Sequence, residues 1–201
     1  MPSPTWTRLV IALAASLWFA TALVMQAPVD AELLKPAGLV MSAVVLVLLC
    51  FDWWVWKLLP ASLTRRPNLQ GTWQATLEYR WPPNSPTQTK DCYLVIRQTY
   101  STVRVEMLFD ISTSESTSAR LITEGGRSDL SWTYWSVARV DKRQGNPPHR
   151  GAAHAVVSSL KAPALEGEYW TDRQTVGRIS TGGRSRTLHR AYDEAKADDY
   201  S

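Results

Sequence analysis

Two regimes of hydrophobic and polar positions follow one another along the chain. Leu9 to Val29 carries no ionisable side chain over 21 positions, and a helix needs about 20 residues to cross the roughly 30 Å hydrocarbon core of a bilayer. Asp30, Glu32 and Lys35 interrupt the pattern. A second uncharged run from Pro36 to Phe51 then meets Asp52 and continues through Trp53, Trp54, Val55 and Trp56 to Lys57. This run crosses only with Asp52 near the far interface, a placement the tryptophans favour because indole rings sit at headgroup level. The pattern predicts a two-helix transmembrane hairpin over residues 1–62. The alternative for the first run, a cleaved secretory signal, fits less well: the apolar core exceeds the usual length of about 7 to 15 residues, and only Arg8 precedes it.

From Gly71 onward the helical period gives way to short alternating runs punctuated by turn residues. Eight candidate strands follow: Gly71 to Trp81, Asp91 to Thr99, Thr102 to Asp110, Ser116 to Thr123, Asp129 to Arg139, Gly151 to Leu160, Leu165 to Thr171 and Val176 to Leu188. Turn chemistry separates several of them, notably Pro82-Pro83-Asn84-Ser85, Glu124-Gly125-Gly126, Gly145-Asn146-Pro147-Pro148 and Lys161-Ala162-Pro163. Regular hairpin spacing predicts an up-and-down meander. Eight such strands close into a barrel that is filled by side chains or holds one small ligand. A sandwich is the alternative, and helical spans argue against a transmembrane β-barrel. Val103, Val105, Met107 and Phe109 form one face, expected to be core, and Thr102, Arg104, Glu106 and Leu108 the other, expected to be mostly solvated. Ser131, Thr133 and Trp135 opposite Leu130, Trp132 and Tyr134 leave both faces mixed, as a polar ligand cavity requires.

The expected architecture is thus a membrane protein: two transmembrane helices, an all-β, roughly eight-stranded up-and-down barrel over 63–192, and an acidic tail over 193–201, expected to be a solvated helix end or disordered. Gly71-Thr72-Trp73 resembles the Gly-x-Trp that opens the lipocalin barrel, where a late arginine packs over the indole; Arg186 and Arg190 are the candidates for that role. The charge flanking the spans points both termini and the barrel to the cytoplasm, because Arg8 precedes them and Lys57, Arg65 and Arg66 follow.

Charge and cysteine content narrow the chemistry. Of 22 Lys and Arg and 18 Asp and Glu, 19 and 15 lie away from the spans, a mildly basic balance. Most of these cations are arginines, which suit bidentate recognition of phosphate or carboxylate. Cys50 in a span and Cys92 on a strand cannot pair, which fits a reducing compartment. His149, His154 and His189 have no partners at metal-site spacing, so no metal is expected. No Gly-x-Ser-x-Gly, phosphate-loop or HExxH motif occurs, the carboxylates are scattered, no cofactor is implied, and an enzyme is the weaker class. Gly182 and Gly183 read either as a phosphate-facing turn or as a plain hairpin turn.

Aromatic residues and arginines share the strands. Aromatic faces stack on bases and guanidinium forks hold phosphates, so Arg97, Trp132, Tyr134, Tyr169, Arg178, Thr181 and Arg184 are the candidate contacts to an anionic, base-containing ligand. Their bland reading is barrel filling and rim capping. Asp52 is either an interfacial carboxylate or a membrane and oligomer contact; Gly38, Ser42 and Ala43, with Ala12, Ala15 and Ser16, allow close helix packing.

Taken in order, two spans, Arg65 to Pro67, Leu69-Gln70-Gly71-Thr72-Trp73 and the late Leu165-Glu166-Gly167-Glu168-Tyr169 resemble the two-transmembrane β-barrel effectors of cyclic-oligonucleotide-based antiphage signalling systems, CBASS. The resemblance implies a barrel that senses a cyclic dinucleotide made by a neighbouring synthase, then self-association into oligomers and disruption of membrane lipid in the bacterial inner membrane, ending in growth arrest. It assigns no individual ligand contact. The competing expectations are a membrane-anchored, lipocalin-like binder of another small ligand and a protein-interaction module without a ligand.

Overall fold

Eight strands that each bury one face need a partner on both edges, and this chain supplies it by closing the sheet on itself. In the computed structural model, which describes residues 12, 15, 16, 19, 20, 23, 35–82, 85–159 and 163–200, β1 (Gly71–Arg80), β2 (Gln88–Gln98), β3 (Val103–Leu108), β4 (Ser112–Glu124), β5 (Arg127–Ala138), β6 (His149–Val157), β7 (Leu165–Thr171) and β8 (Val176–Ser185) form a closed antiparallel barrel in sequence order. Every neighbour is a hairpin except the seam, where β1 pairs with β8. The expected meander and barrel are both present, and the sandwich is excluded.

The chain divides into two compact units, Met1–Leu58 and Leu59–Ser201. In the first, α1 (Lys35–Cys50) runs directly into a π-helical turn (Phe51–Val55) and then α2 (Trp56–Leu58). The second opens on one short helical turn, α3 (Ala61–Thr64), ahead of β1. No helix among the described residues is long and apolar enough to cross a membrane. The first expected span, Leu9 to Val29, lies largely outside the described residues, of which Ala12, Ala15, Ser16, Phe19, Ala20 and Leu23 are helical.

Inward residues of successive strands build one core: Trp73, Ala75 and Leu77; Cys92, Leu94 and Ile96; Val103, Val105 and Met107; Leu130, Trp132 and Tyr134; Tyr169; and Ile179. The mixed strand β5 resolves by parity. Leu130, Trp132 and Tyr134 point in, while Ser131, Thr133 and Trp135 point out.

One end of the barrel is shut. Leu69 is fully buried there, with its N–H donated to Gln98 Oε1 at 2.7 Å, and the Gln98 amide donates to the Pro67 carbonyl at 3.0 Å. Trp73 lies in the same end and donates its indole N–H to the Leu69 carbonyl at 2.9 Å. Gly71 is obligatory: its φ is 145°, and a Cβ would collide with the Ser185 carbonyl. The arginine over the indole is Arg184, not Arg186 or Arg190. Its guanidinium sits 5.1 Å from the Trp73 ring and donates to the Asn68 carbonyl at 2.7 Å. The reason is a bulge: Trp73 pairs with Arg184 but Ala75 with Thr181, so Gly182 and Gly183 together oppose Gln74 and reverse the facing of the residues beyond them. That pair is therefore neither a hairpin turn nor a phosphate-facing turn.

The carboxyl-terminal tail forms a helix end whose acidic residues Asp193, Glu194 and Asp199 are exposed, as one of the two expectations had it, but its apolar residues dock on the barrel. Tyr93, Val95 and Leu108 form a second apolar cluster on the outer wall, covered by α4 (Tyr192–Lys196) through Ala195 and flanked by Leu188, Tyr192 and Tyr200. Tyr200 stacks on Tyr93 at 5.5 Å and donates its hydroxyl to the Ala195 carbonyl at 2.8 Å, and Tyr192 meets Tyr93 edge-on. Gly183 lies against Tyr200, which leaves no room for a Cβ. Two tyrosines and an alanine among the acidic residues supply the apolar surface that fixes the tail. The same contact explains why Leu108, on the face expected to be solvated, is buried.

Candidate functional site

The end of the barrel opposite Trp73 is open. Six residue steps along β1 lead from Trp73 to Tyr79, about 20 Å along a strand. Around Tyr79 lies a cavity of about 270 Å³. Leu77 and Met107 form its floor, and Tyr134, Tyr169, Ser112, Ser114 and Ser136 its walls. Trp81, Lys90, Asn146, His149 and Arg173 stand at the lip, on strand ends and connecting loops.

Two tyrosines are held by missing side chains opposite them. Tyr134 pairs with Gly151 across β5 and β6, and a Cβ on Gly151 would run into the phenol. Tyr169 pairs with Gly177, where a Cβ would meet its ring at 2.6 Å. Each ring therefore lies flat over a glycine in the neighbouring strand, a position no other residue type at 151 or 177 permits. Burial pushes both phenol pKa values well above the ordinary tyrosine range, Arg173 opposing the shift at Tyr134 and the neighbouring phenols adding to it at Tyr169. Both are neutral hydroxyl donors at physiological pH, and among the described residues neither has a hydrogen-bond partner.

The serines form a polar wall inside an apolar barrel. Ser114 pairs directly with Ser136 across β4 and β5, and Ser112 lies two residues on toward the lip. They are 2%, 3% and 8% exposed, yet none of the three hydroxyls makes a hydrogen bond among the described residues. Buried polar groups are normally paired within the protein, so hydroxyls aimed into a cavity mark a place where something else supplies the partner.

Arg173 is the cation of this mouth. It lies in the turn after β7, with Nη1 donating to Asn146 Oδ1 at 3.0 Å and the guanidinium 5.8 Å from the Trp81 ring. These contacts fix its orientation. Its Nε is buried with no hydrogen-bond partner, a charged donor held ready for an acceptor. His149 faces the same cavity, its Nδ1 3.2 Å from the Pro147 carbonyl. Burial lowers its pKa, against the pull of that carbonyl, and Arg173 lowers it further, so His149 is neutral at pH 7. Lys90 is engaged by Asp110 at 2.8 Å and lies over Phe109.

Of the seven ligand contacts expected from the sequence, the structure gathers only Tyr134 and Tyr169 at this cavity. Trp132 points into the packed core below. Thr181 faces inward, but its hydroxyl accepts from the Leu165 N–H at 2.7 Å and donates to the Leu165 carbonyl at 3.2 Å. Arg184 closes the opposite end, its pKa lowered by burial and by Arg186. Arg97 and Arg178 are on the outer wall. Arg97 pairs with Arg104 and opposes the burial that raises Glu106 above the usual carboxylate range. Arg178 is in register between Glu78 and Glu168. Asp52 lies in the π turn of the other unit. The serine wall, Trp81, His149 and Asn146 were absent from the expected contacts, and Arg173 counted only among the wider set of arginines on strands or their ends that could together read a nucleotide; the signal for Trp81, Asn146 and His149 was their place beside the Pro- and Asn-containing connections. Among the described residues no group of His, Cys, Asp and Glu is arranged to hold a metal.

The chain matches a protein-family model described as Cap15, cyclic dinucleotide receptor domain, over residues 64–182, which covers all the strands up to the bulge in β8. It is also 32% identical over 126 residues to CD-NTase-associated protein 15 of Staphylococcus schleiferi. That match covers 63% of this chain and 65% of the relative, so the chain spans just under two thirds of the relative's length.

Proposed function

From the membership of this chain in the Cap15 cyclic dinucleotide receptor domain family, we propose that its barrel binds a cyclic dinucleotide at the open mouth and serves as a non-enzymatic effector of CBASS antiphage defence. The observation that carries the proposal is the buried, partnerless Nε of Arg173 above a cavity walled by phenols and unpaired hydroxyls. A phosphodiester completes the guanidinium fork, the tyrosines and Trp81 offer faces for stacking, and the serines and phenols meet the polar edge of a base. A hydrophobic ligand would leave all of these donors unpaired, which weighs against a lipocalin-like carrier of apolar molecules.

The ligand comes from a cyclic nucleotide synthase that acts with this protein. Its binding must favour an oligomer by differential affinity, since equal binding to free and assembled chains shifts nothing. The helical run from Lys35 to Leu58, together with the apolar stretch before it, forms a hairpin in the bacterial inner membrane with both termini and the barrel in the cytoplasm. Self-association gathers these helices, brings Asp52 and the small faces at Gly38, Ser42 and Ala43 into a multi-helix assembly, and disrupts membrane lipid so that growth stops.

The test is thermal stabilisation of the full chain in detergent against a panel of cyclic di- and trinucleotides. A ligand at 100 times its dissociation constant adds about 2.7 kcal/mol. Arg173→Gln is expected to weaken the stabilising ligand about 10- to 100-fold, the range of a hydrogen bond to a charged group, with the unligated midpoint little changed. A folded protein that no member of the panel stabilises refutes the proposal.

A further inference from the structure

The mouth is too small for a whole cyclic dinucleotide, and it is asymmetric. Pockets that engulf a drug-sized ligand span about 300–1,000 Å³. A molecule with two bases, two riboses and two phosphates belongs at the upper end of that range, whereas this cavity is about 270 Å³. It lies on the axis of a single barrel that holds one Arg173 and one Trp81, so nothing in it repeats for the second half of a two-fold ligand. The polar groups are also graded with depth. Phenols and the Ser114 and Ser136 hydroxyls are in the wall above Leu77 and Met107, and the guanidinium and the indole of Trp81 are at the lip. Trp81 is 45% exposed, with Arg173 beside its ring.

Resting on the binding reading above, we propose that one barrel takes one cyclic dinucleotide with its halves in different roles. One base enters the cavity edge-first, where Ser112, Ser114 and Ser136 together with the Tyr134 and Tyr169 hydroxyls read its hydrogen-bonding edge. The adjoining phosphate meets Arg173 at the lip. The second nucleoside stays outside the cavity and stacks against Trp81 without being read. The serine wall is therefore the specificity determinant. A site built to hydrogen-bond a polar edge rejects ligands that leave its donors and acceptors unpaired, whereas stacking tolerates any base because each has a π face. The consequence is an effector strict about one base and permissive about the other.

Isothermal titration of the full chain in detergent, with cyclic dinucleotides carrying identical and mixed bases, tests this. The expected stoichiometry is one ligand per chain, and all ligands that share the preferred base bind alike. A 3′,5′-cyclic mononucleotide of that base competes for the site. Ser114→Ala with Ser136→Ala changes the ratio of affinities between preferred and non-preferred bases by about fivefold or more, and Ser112→Ala is an independent variant should the pair fail to fold. Trp81→Ala weakens every member by a common factor. Two chains per ligand, or serine variants that weaken all members equally, overturn the asymmetric mode while leaving cyclic dinucleotide binding intact. No binding of any member by the folded wild type removes the binding reading itself, and this proposal with it.

Discussion

Arg184 separates closure from recognition more sharply than any other residue, because the same guanidinium is a candidate for either. Arg184→Met keeps the apolar stem that packs on Trp73 but removes the charge. Two interactions go with it: the cation–π contact at 5.1 Å, about 1 kcal/mol at a half-buried site, and the 2.7 Å bond to the Asn68 carbonyl, about 1.5–3 kcal/mol for a charged donor. Part of the second is recovered when water reaches the carbonyl, so the expected loss is about 2–3 kcal/mol. For a unit of this size each kcal/mol lowers the unfolding midpoint by roughly 3–4 °C, a fall of about 10 °C. The cavity lies about 20 Å away along β1, so ligand affinity should stay within a factor of two. Thermal unfolding and titration on the same preparation read both quantities. A variant that melts like the wild type but loses its ligand would refute the assignment, and would move the binding site to the Trp73 end.

His149 carries a pKa lowered by burial; below about pH 6.5 the unfolded chain takes up a proton that the folded barrel refuses. Stability should therefore fall as pH drops through the range between that value and the lowered one, and stay flat above it; His149→Asn should level the slope in denaturant titrations between about pH 5 and 7, and an unaltered slope would count against the burial argument. Tyr200→Ala removes the stack on Tyr93 and the bond to the Ala195 carbonyl, for an expected loss of about 2 kcal/mol and faster proteolytic removal of the tail. A change under about 0.5 kcal/mol would show that the tail adds nothing to the barrel. Cys92 is fully buried with its thiol pushed up to about 12, so in a Cys50→Ser background maleimide at pH 8 should label it only as fast as the barrel unfolds. Rapid labelling of the folded protein would contradict the packing described for β2.

Strand order, count and closure are readable because the strands alternate, β3 most cleanly, and four of the seven connections carry Pro, Gly or Asn. β7 begins and ends at Leu165 and Thr171, as the pattern predicts. The start of β4 is instructive. The strand begins at Ser112 rather than Ser116 because its first inward residues, Ser112 and Ser114, are serines, so no apolar alternation announces them. The hydrophobic pattern fails where the interior is polar, and that is where the cavity is. Arg184 takes the place expected of Arg186 or Arg190 because a bulge at Gly182 and Gly183 reverses facing, and parity counted along one strand cannot see a register shift against another. Tyr134 and Tyr169 are legible as inward aromatics on strands, whereas Arg173 sits in a turn and gains its place only from the loop of Asn146 and the ring of Trp81. The carboxylates of the tail point to solvent, yet two tyrosines decide where it goes.

The seam between β1 and β8 also sets the order in which this molecule is made. Every other strand finds its partner within one hairpin, but Thr72 must wait for Ser185, about 110 residues later, or about 6–20 s at ordinary rates of synthesis. Throughout that interval the first strand presents an unpaired edge to every other copy emerging nearby, the condition under which strands pair between chains. A chain released before the bulge in β8 has two such edges and leaves the Trp73 ring without its guanidinium cover, since Arg184 arrives only with the closing strand. Premature termination before Ser185 would on this account leave that edge of β1 without its closing partner.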